Sequence, residues 1–255
     1  MNIGIIPVRI ASKRFPNKPL FKIDGKTLLE RTYEQASKSK LDKVVVATSD
    51  DAIINYCLLK NYEFQKTSDQ HICGTERCAE VAEKLSLKND DIVLNIQGDE
   101  PFIKPEQINL IIDYFYNSQA QAIRTQINVP MIATLVVKIS SQIADDSNCV
   151  KVVRDNKNNA MYFGRAKMPY SGPWLKHIGV YGFEASYLKS VAQLPRVDLE
   201  VSESLEQLRW LVAGYAIRLI ETHFDPPSIN SPEDATALEL LLANQKNYFQ
   251  ETSCK

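Results

Sequence analysis

Short runs of apolar and β-branched residues recur through the first half of this chain, at residues 3–6, 43–47, 92–96 and 132–139, and stretches with helical patterning separate them. Residues 27–37 carry Leu28, Leu29, Tyr33 and Ala36 at helical spacing. Asp50 and Asp51 suit the positive end of a helix over 52–59. Thr75 is placed to cap a helix running to Lys84. Pro105, whose missing N–H costs nothing in a first turn, suits the start of a helix ending near Asn117. Strands that alternate with helices in this way predict an α/β fold with a mainly parallel sheet.

The second half is patterned differently. Residues 149–154 and 160–163 flank Asp155-Asn156-Lys157-Asn158-Asn159, which signals a hairpin. A strand is expected at 178–183, helices at 185–194 and 204–213, a strand at 216–220, and a terminal helix from Pro232 to about Phe249. No internal repeat or long linker interrupts the pattern. The expectation is one domain over 1–255 with a small antiparallel addition around 149–183.

Composition narrows the function. With 255 residues, 44% hydrophobic and 24% charged, the chain has the make-up of a soluble globular protein with a substantial core. A net charge of −1 argues against generic nucleic-acid or membrane-surface binding. No apolar stretch reaches the roughly 20 residues that span a bilayer, and the N-terminus runs directly into a strand without the features of a signal peptide. The five cysteines are irregularly spaced, with no Cys-x-x-Cys pair, and the three histidines are scattered. Reduced cytosolic thiols are therefore expected, without a zinc site or disulfide framework. Cys73 and Cys78 have no evident chemistry and are read as packing residues.

Against this neutral background, Arg9, Lys13, Arg14 and Lys18 fall within ten residues directly after the first strand, and the first acidic residue is Asp24. In an open α/β sheet, ligands bind beyond the carboxyl ends of the strands. A cation-rich loop leaving such an end is suited to a polyanion, a triphosphate above all. Neither G-x-G-x-x-G nor G-x-x-x-x-G-K-[ST] is present, so side-chain cations would do the holding. Gln97-Gly98-Asp99-Glu100-Pro101 follows the strand at 92–96 and sets Asp99, a hard oxygen ligand, where phosphate-bound Mg²⁺ would need one. Gly74-Thr75-Glu76-Arg77 offers a helix N-terminus with an added cation.

Taken in order, Pro7-Val8-Arg9, Ser12-Lys13-Arg14-Phe15-Pro16-Asn17-Lys18-Pro19, Gly74-Thr75-Glu76-Arg77 and Asn95-Ile96-Gln97-Gly98-Asp99-Glu100-Pro101 resemble the 3-deoxy-manno-octulosonate (Kdo) cytidylyltransferases. The likeness continues through Tyr162-Phe163-Gly164-Arg165, His177-Ile178-Gly179-Val180-Tyr181, Leu205-Glu206-Gln207-Leu208-Arg209 and Ser231-Pro232-Glu233-Asp234, nearly the whole chain. The resemblance implies a Rossmann-like, three-layer α/β/α nucleotidyltransferase that joins CMP from CTP to a 2-keto-3-deoxy sugar acid. It implies that Arg9, Arg14 and Lys18 grip the triphosphate, and that Arg77 and Gln97, with the backbone at Pro7 and Gly74, hold the cytidine half. Asp99 would bind Mg²⁺, and Arg165, His177, Tyr181, Glu206 and Gln207 would line the sugar-acid pocket. A cytoplasmic homodimer, with dimer elements around 149–183, is implied as well.

Two departures stand out. Asn230 occupies the position where the family usually has its second metal-binding Asp, which keeps a carbonyl oxygen but removes a charge. The connection over 169–176 is short, and Gly164 stands where Ser is common. The acid sugar is thus less defined than the nucleotide, with 8-amino-Kdo and nonulosonates as rivals. A catalytically silent nucleotide-binding protein is a further alternative, and an NAD(P) oxidoreductase is disfavoured by the missing glycine fingerprint.

Overall fold

The apolar runs of the sequence become the middle strands of one sheet. The computed structural model describes residues 1–11, 15–98, 100–125, 129–227, 229, 231–236, 238 and 239. In chain order its elements are β1 (Asn2–Pro7), β2 (Lys22–Ile23), β3 (Lys26–Thr27), α1 (Leu28–Ser37), β4 (Lys43–Thr48), α2 (Asp51–Lys60), β5 (Phe64–Lys66), α3 (Gly74–Lys84), β6 (Ile92–Ile96), α4 (Pro105–Thr125), β7 (Ile132–Ile139), α5 (Ser141–Ala144), β8 (Lys151–Arg154), β9 (Ala160–Gly164), β10 (Trp174–Glu184), α6 (Ala185–Ala192), α7 (Asp198–Glu203), α8 (Gln207–Val212) and β11 (Ile217–Thr222).

The main sheet runs β11-β7-β10-β6-β1-β4-β5, with β8 attached to β10 and β9 to β8. Pairings β6–β1, β1–β4, β4–β5 and β11–β7 are parallel. Only β10 runs against its neighbours β6 and β7, among the strands of that path. Because successive side chains point to opposite faces, Ile3, Ile5, Val45, Ala47 and Val93 join the core cluster that includes Cys78 and Val81 of α3 and Leu188 of α6. Ile6, Val44, Val46, Leu94 and Ile96 join the other, with Leu29 of α1, Ile53 of α2 and Ile108, Ile111 and Ile112 of α4. Helices thus cover both faces, which is why these strands are continuous apolar runs. The three-layer, mainly parallel α/β architecture expected from the sequence is the one observed. No described helix is long and apolar enough to cross a membrane.

Several boundaries differ from expectation, each for a local reason. The strand expected at 178–183 starts earlier, at Trp174, because the polar Lys176 and His177 and a register shift between Ile178 and Tyr181 mask its period. That extension pairs Leu175 and Lys176 with β8. The small antiparallel addition expected around 149–183 is present as β8 and β9, and it is joined to the main sheet through β10. The helix expected at 204–213 starts later, as α8 from Gln207, because Ser204 adopts φ 54° and ends a separate helix, α7 over Asp198–Glu203, that was not expected. Thr75 lies inside the first turn of α3 and Cys73 takes the N-cap position. The buried Thr75 hydroxyl instead accepts from Asn95 Nδ2. The helix from Pro105 runs to Thr125, past Asn117. Strands β2, β3 and β5 are too short to announce themselves. The terminal helix is described only in part, and its expected end near Phe249 lies outside the described residues.

One buried cation anchors the root of the β8–β9 hairpin. Lys151 has no exposed surface, and its ammonium donates to Asp146 O at 2.8 Å, to Cys149 O at 2.7 Å and to Arg165 O. Three donors meet three carbonyls, so the charge is solvated by the chain itself. Lys151→Met keeps the stem and removes the donors, leaving those carbonyls unmet. Urea denaturation is expected to show a loss of about 2–3 kcal/mol with an unchanged m-value.

Candidate active site

The carboxyl ends of β1, β4 and β6 share one edge of the sheet because those strands are parallel. The loop leaving β1 stays close to it. Val8 N donates to Ala47 O at 3.0 Å, and Ile10 N donates to Asp50 Oδ2 at 2.8 Å. Asp50, expected only to favour the start of α2, thus holds the cation-rich loop to β4. The loop then buries Phe15 in a small apolar cluster with Ile23, Leu28, Ile229 and Ala235, against which Phe21, Phe102 and Leu238 pack. Lys18 opens a short 3₁₀ turn, Lys18–Leu20, and Asn17 precedes it at φ 57°. Arg9 is exposed.

Two glycines allow the neighbouring segments to close on this loop. A Cβ on Gly98 would clash with Val8 Cγ1, and one on Gly74 would lie 3.0 Å from Pro7 Cγ and 3.4 Å from Gln97 Nε2. Pro7, Gly74 and Gln97 therefore meet, and Gln97 is oriented by donating to Asn95 Oδ1 at 3.2 Å. Arg77, buried in the first turns of α3, donates to Ser68 O at 3.0 Å and to Thr67 Oγ1, fixing the segment between β5 and α3. Burial lowers its pKa; Asp50 opposes that shift, and the like charge of Arg9 adds to it. Arg9 and the buried Arg77 thus lie near one another at this edge of the sheet.

The second half of the site is built on β10 and α8. Tyr181 pairs with Asn95 across the β10–β6 ladder, which sets its strand beside Gln97. Its ring lies 5.1 Å from that of His177 and 5.0 Å from that of Trp210. The Tyr181 hydroxyl is buried and has no hydrogen-bond partner among the described residues. Burial pushes its pKa well up, and the nearby Glu206 pushes it further. A buried hydroxyl left unpartnered costs free energy, so a polar ligand atom would complete it. Glu206 meets the β1 and β6 edge directly: its Oε1 accepts from the thiol of Cys73 at 3.1 Å, the residue next to Gly74. Burial raises the Glu206 pKa; hydrogen bonds from Cys73 and Thr75 and the charge of Arg209 oppose the rise, and Glu200 adds to it. Cys73, expected to be a packing residue, is therefore a polar link, whereas Cys78 is fully buried as foreseen. Gln207, also buried, begins α8.

His177 Nε2 lies 3.0 Å from Thr134 Oγ1, whose single proton has a nearer acceptor in Val180 O at 2.7 Å. The ring then carries its proton on Nε2 and leaves Nδ1 as its acceptor. Glu100, in the loop after β6, accepts from Gly179 N at 3.3 Å, tying the bulge of β10 to the Gln97 loop. Arg165 is held elsewhere. Its Nε donates to Glu203 O at 3.0 Å and a terminal nitrogen donates to Ser147 O at 3.2 Å, and no hydrogen bond described for it reaches His177, Tyr181 or Glu206. Arg14, Asp99 and Asn230 lie outside the described residues. Phe15, Phe102 and Ile229, each within three positions of one of them, share the same apolar cluster.

The model of the cytidylyltransferase family matches residues 3–220. The chain belongs to that family. Among its relatives, the 3-deoxy-manno-octulosonate cytidylyltransferase of Parabacteroides distasonis is 43% identical over 259 residues, covering 95% of this chain and 98% of the relative. The 8-amino-3,8-dideoxy-manno-octulosonate cytidylyltransferase of Shewanella sediminis is 39% identical, covering 95% and 99%. The structure of a CMP:2-keto-3-deoxy-manno-octonic acid synthetase complexed with CTP superposes with a TM-score of 0.85 at 33% identity, covering 96% of this chain and 99% of that one. The resemblance drawn from the motifs is thus borne out at the level of the family. Residues that the motifs did not single out, among them Cys73, Asp50 and Thr134, hold this cytidylyltransferase site together. Their signal is a partner distant in sequence, which no local pattern carries.

Burial, with the neighbouring charge of Lys176, lowers the His177 pKa to about 3. The folded chain therefore keeps this ring neutral where the unfolded chain, with a pKa of about 6.5, takes up a proton. Its contribution to stability is complete above about pH 6.5 and is lost as pH falls toward 3. Thermal unfolding of His177→Gln is expected to show a shallower loss of Tm between about pH 6.5 and 4.5 than the unmodified chain.

Proposed function

We propose that this cytidylyltransferase joins CMP from CTP to the anomeric hydroxyl of Kdo and releases pyrophosphate. The observation that carries this reading is the Cys73–Glu206 contact. It sets a nucleotide-type edge, made by Pro7, Gly74 and Gln97, against a second wall made by Glu206, Tyr181 and His177. Two adjoining half-sites suit a reaction that joins two substrates. The similarity to the P. distasonis enzyme, which is named for Kdo, supports the choice of sugar acid.

In the proposed chemistry the sugar hydroxyl attacks the α-phosphorus of CTP, the bond to the β-phosphate oxygen breaks, and pyrophosphate leaves. Little covalent work is asked of the protein, so positioning and charge neutralisation carry the rate. Arg9, Lys18 and Arg14 would offset charge on the leaving pyrophosphate. Gln97 and the backbone at Pro7 and Gly74 would hold the cytidine, while Arg77 fixes the wall behind them. Tyr181 would donate its unpartnered hydroxyl to the sugar acid, and His177 would accept at Nδ1. Glu206 and Gln207 would contact sugar hydroxyls, and Arg165 would shape the pocket through Glu203.

Asp99 and Asn230 are both hard oxygen donors, which suits Mg²⁺ shared with substrate phosphates. The meeting of Phe15, Phe102 and Ile229 supports assigning them to one site. When bound, Mg²⁺ would neutralise phosphate charge and make the attacking hydroxyl more acidic. We also infer a homodimer through the β8–β9 region, where Met161 is 64% exposed. A cytoplasmic location is supported by the four free cysteines among the described residues.

A pyrophosphate-release assay with CTP and Kdo is expected to show turnover that EDTA abolishes and Mg²⁺ restores. No release with Kdo, but release with the 8-amino sugar, would transfer the reading to the substrate named for the S. sediminis relative. Asn230→Asp is expected to lower the Mg²⁺ concentration at half-maximal rate several-fold, roughly as one added carboxylate strengthens a hard-cation site. An unchanged Mg²⁺ dependence would remove Asn230 from the metal site.

A further inference from the structure

Arg209 is 2% exposed, and Glu200, Leu194, Glu76 and Cys73 converge on its guanidinium. Its outer nitrogen donates to Glu200 Oε1 at 2.9 Å, and its Nε lies 2.9 Å from Glu200 Oε2, a two-point ion pair with α7. The other terminal nitrogen donates to Leu194 O at 3.2 Å and sits 3.7 Å from Glu76 Oε1 in the first turn of α3. The nitrogen facing Glu200 also reaches Cys73 Sγ at 3.9 Å. That same sulfur donates its proton to Glu206 Oε1. A thiol that gives its proton to a carboxylate has its lone pairs left for a guanidinium donor. Arg209, Cys73 and Glu206 therefore form a directed chain of hydrogen bonds.

We propose that Arg209 is a positioning residue for the sugar-acid half of the site, acting through Cys73 to set the direction of the Glu206 carboxylate. This rests on the reading of Glu206 as a group that contacts the sugar. Stability alone does not account for the arrangement, since a buried ion pair stabilises little over well-packed apolar residues of similar volume. Shape does account for it. The planar fork can face Glu200 with one edge and still present a donor to Cys73, which a lysine ammonium at the same place cannot do with fixed geometry. The orientation matters because Glu206 sits immediately before the first residue of α8 and a short side-chain rotation would turn it away from Tyr181. Displacements of this size in groups that hold substrate are costly to turnover.

The test is steady-state pyrophosphate release, with CTP and Kdo varied in turn, on the full chain. Arg209→Met is expected to raise the KM for Kdo about ten-fold while the KM for CTP changes by less than about two-fold. Arg209→Lys is expected to recover less than half of that loss even where its Tm returns to that of the unmodified chain. Cys73→Ala removes the relay without touching the Glu200 pair, and is expected to raise the KM for Kdo several-fold with little change in Tm; it stands as the test if Arg209→Met does not fold. An unshifted KM for Kdo in a folded Arg209→Met or in Cys73→Ala, or an equal rise for both substrates, would overturn the proposal. If the unmodified chain turns over normally, that outcome counts against Arg209 alone. Absence of turnover in the unmodified chain with Kdo and with its 8-amino analogue would overturn the reaction, and this inference with it.

Discussion

The antiparallel pairing of β10 with both β6 and β7 is the constraint on which the site depends. A strand inserted against the direction of its neighbours brings Tyr181 opposite Asn95 and carries His177 and Gly179 to the edge where β1 and β6 end. Backbone hydrogen bonds on both sides hold it there, so its residues have little freedom to drift. The bulge between Ile178 and Tyr181 then lets Gly179 turn its N–H to Glu100, joining the strand to the loop that follows β6. Without that insertion, the edge where β1 and β6 end would be an ordinary end of a parallel sheet with nothing facing it.

Charge is distributed differently on the two sides of the site. At the β1 end the cationic loop is tied down by backbone contacts and by Asp50, while Arg9 remains exposed toward solvent. Exposed cations of this kind are suited to meeting a highly charged ligand that brings its own compensation. On the β10 and α8 side the polar groups are half-buried or buried, and loss of solvent shifts their ionisation: His177 is held neutral, and Glu206 and Tyr181 are pushed toward their protonated forms. A closely packed wall of polar groups is suited to hydroxyl-rich ligands, whose recognition depends on hydrogen-bond direction more than on net charge.

Small or missing side chains do as much as charged ones. Gly98 and Gly74 allow Val8, Pro7 and Gln97 to approach to distances that a Cβ would forbid. In sequence, these glycines read as turn formers and helix-start residues. Their function in the fold is contact between loops from three strands, and it depends on partners more than twenty residues away.

The residues by themselves determined the α/β class, the positions of β1, β4, β6 and β7, and the cation-rich character of the loop that follows β1. All three are local: a strand covered on both faces must be apolar throughout, and a cluster of like charges without acidic neighbours shows in a short window. The ordered motifs also identified the family, because their combination spans nearly the whole chain. Only the tertiary structure decided that the 149–183 elements belong to the main sheet, that Cys73 links to Glu206, and that Arg165 is spent on Glu203 and Ser147. Each of these is a contact between residues far apart in sequence, and the patterning of either partner is the same whether or not they meet. Such contacts are settled by how β10 and α8 pack on α3, a property of the assembled layers and not of any one segment.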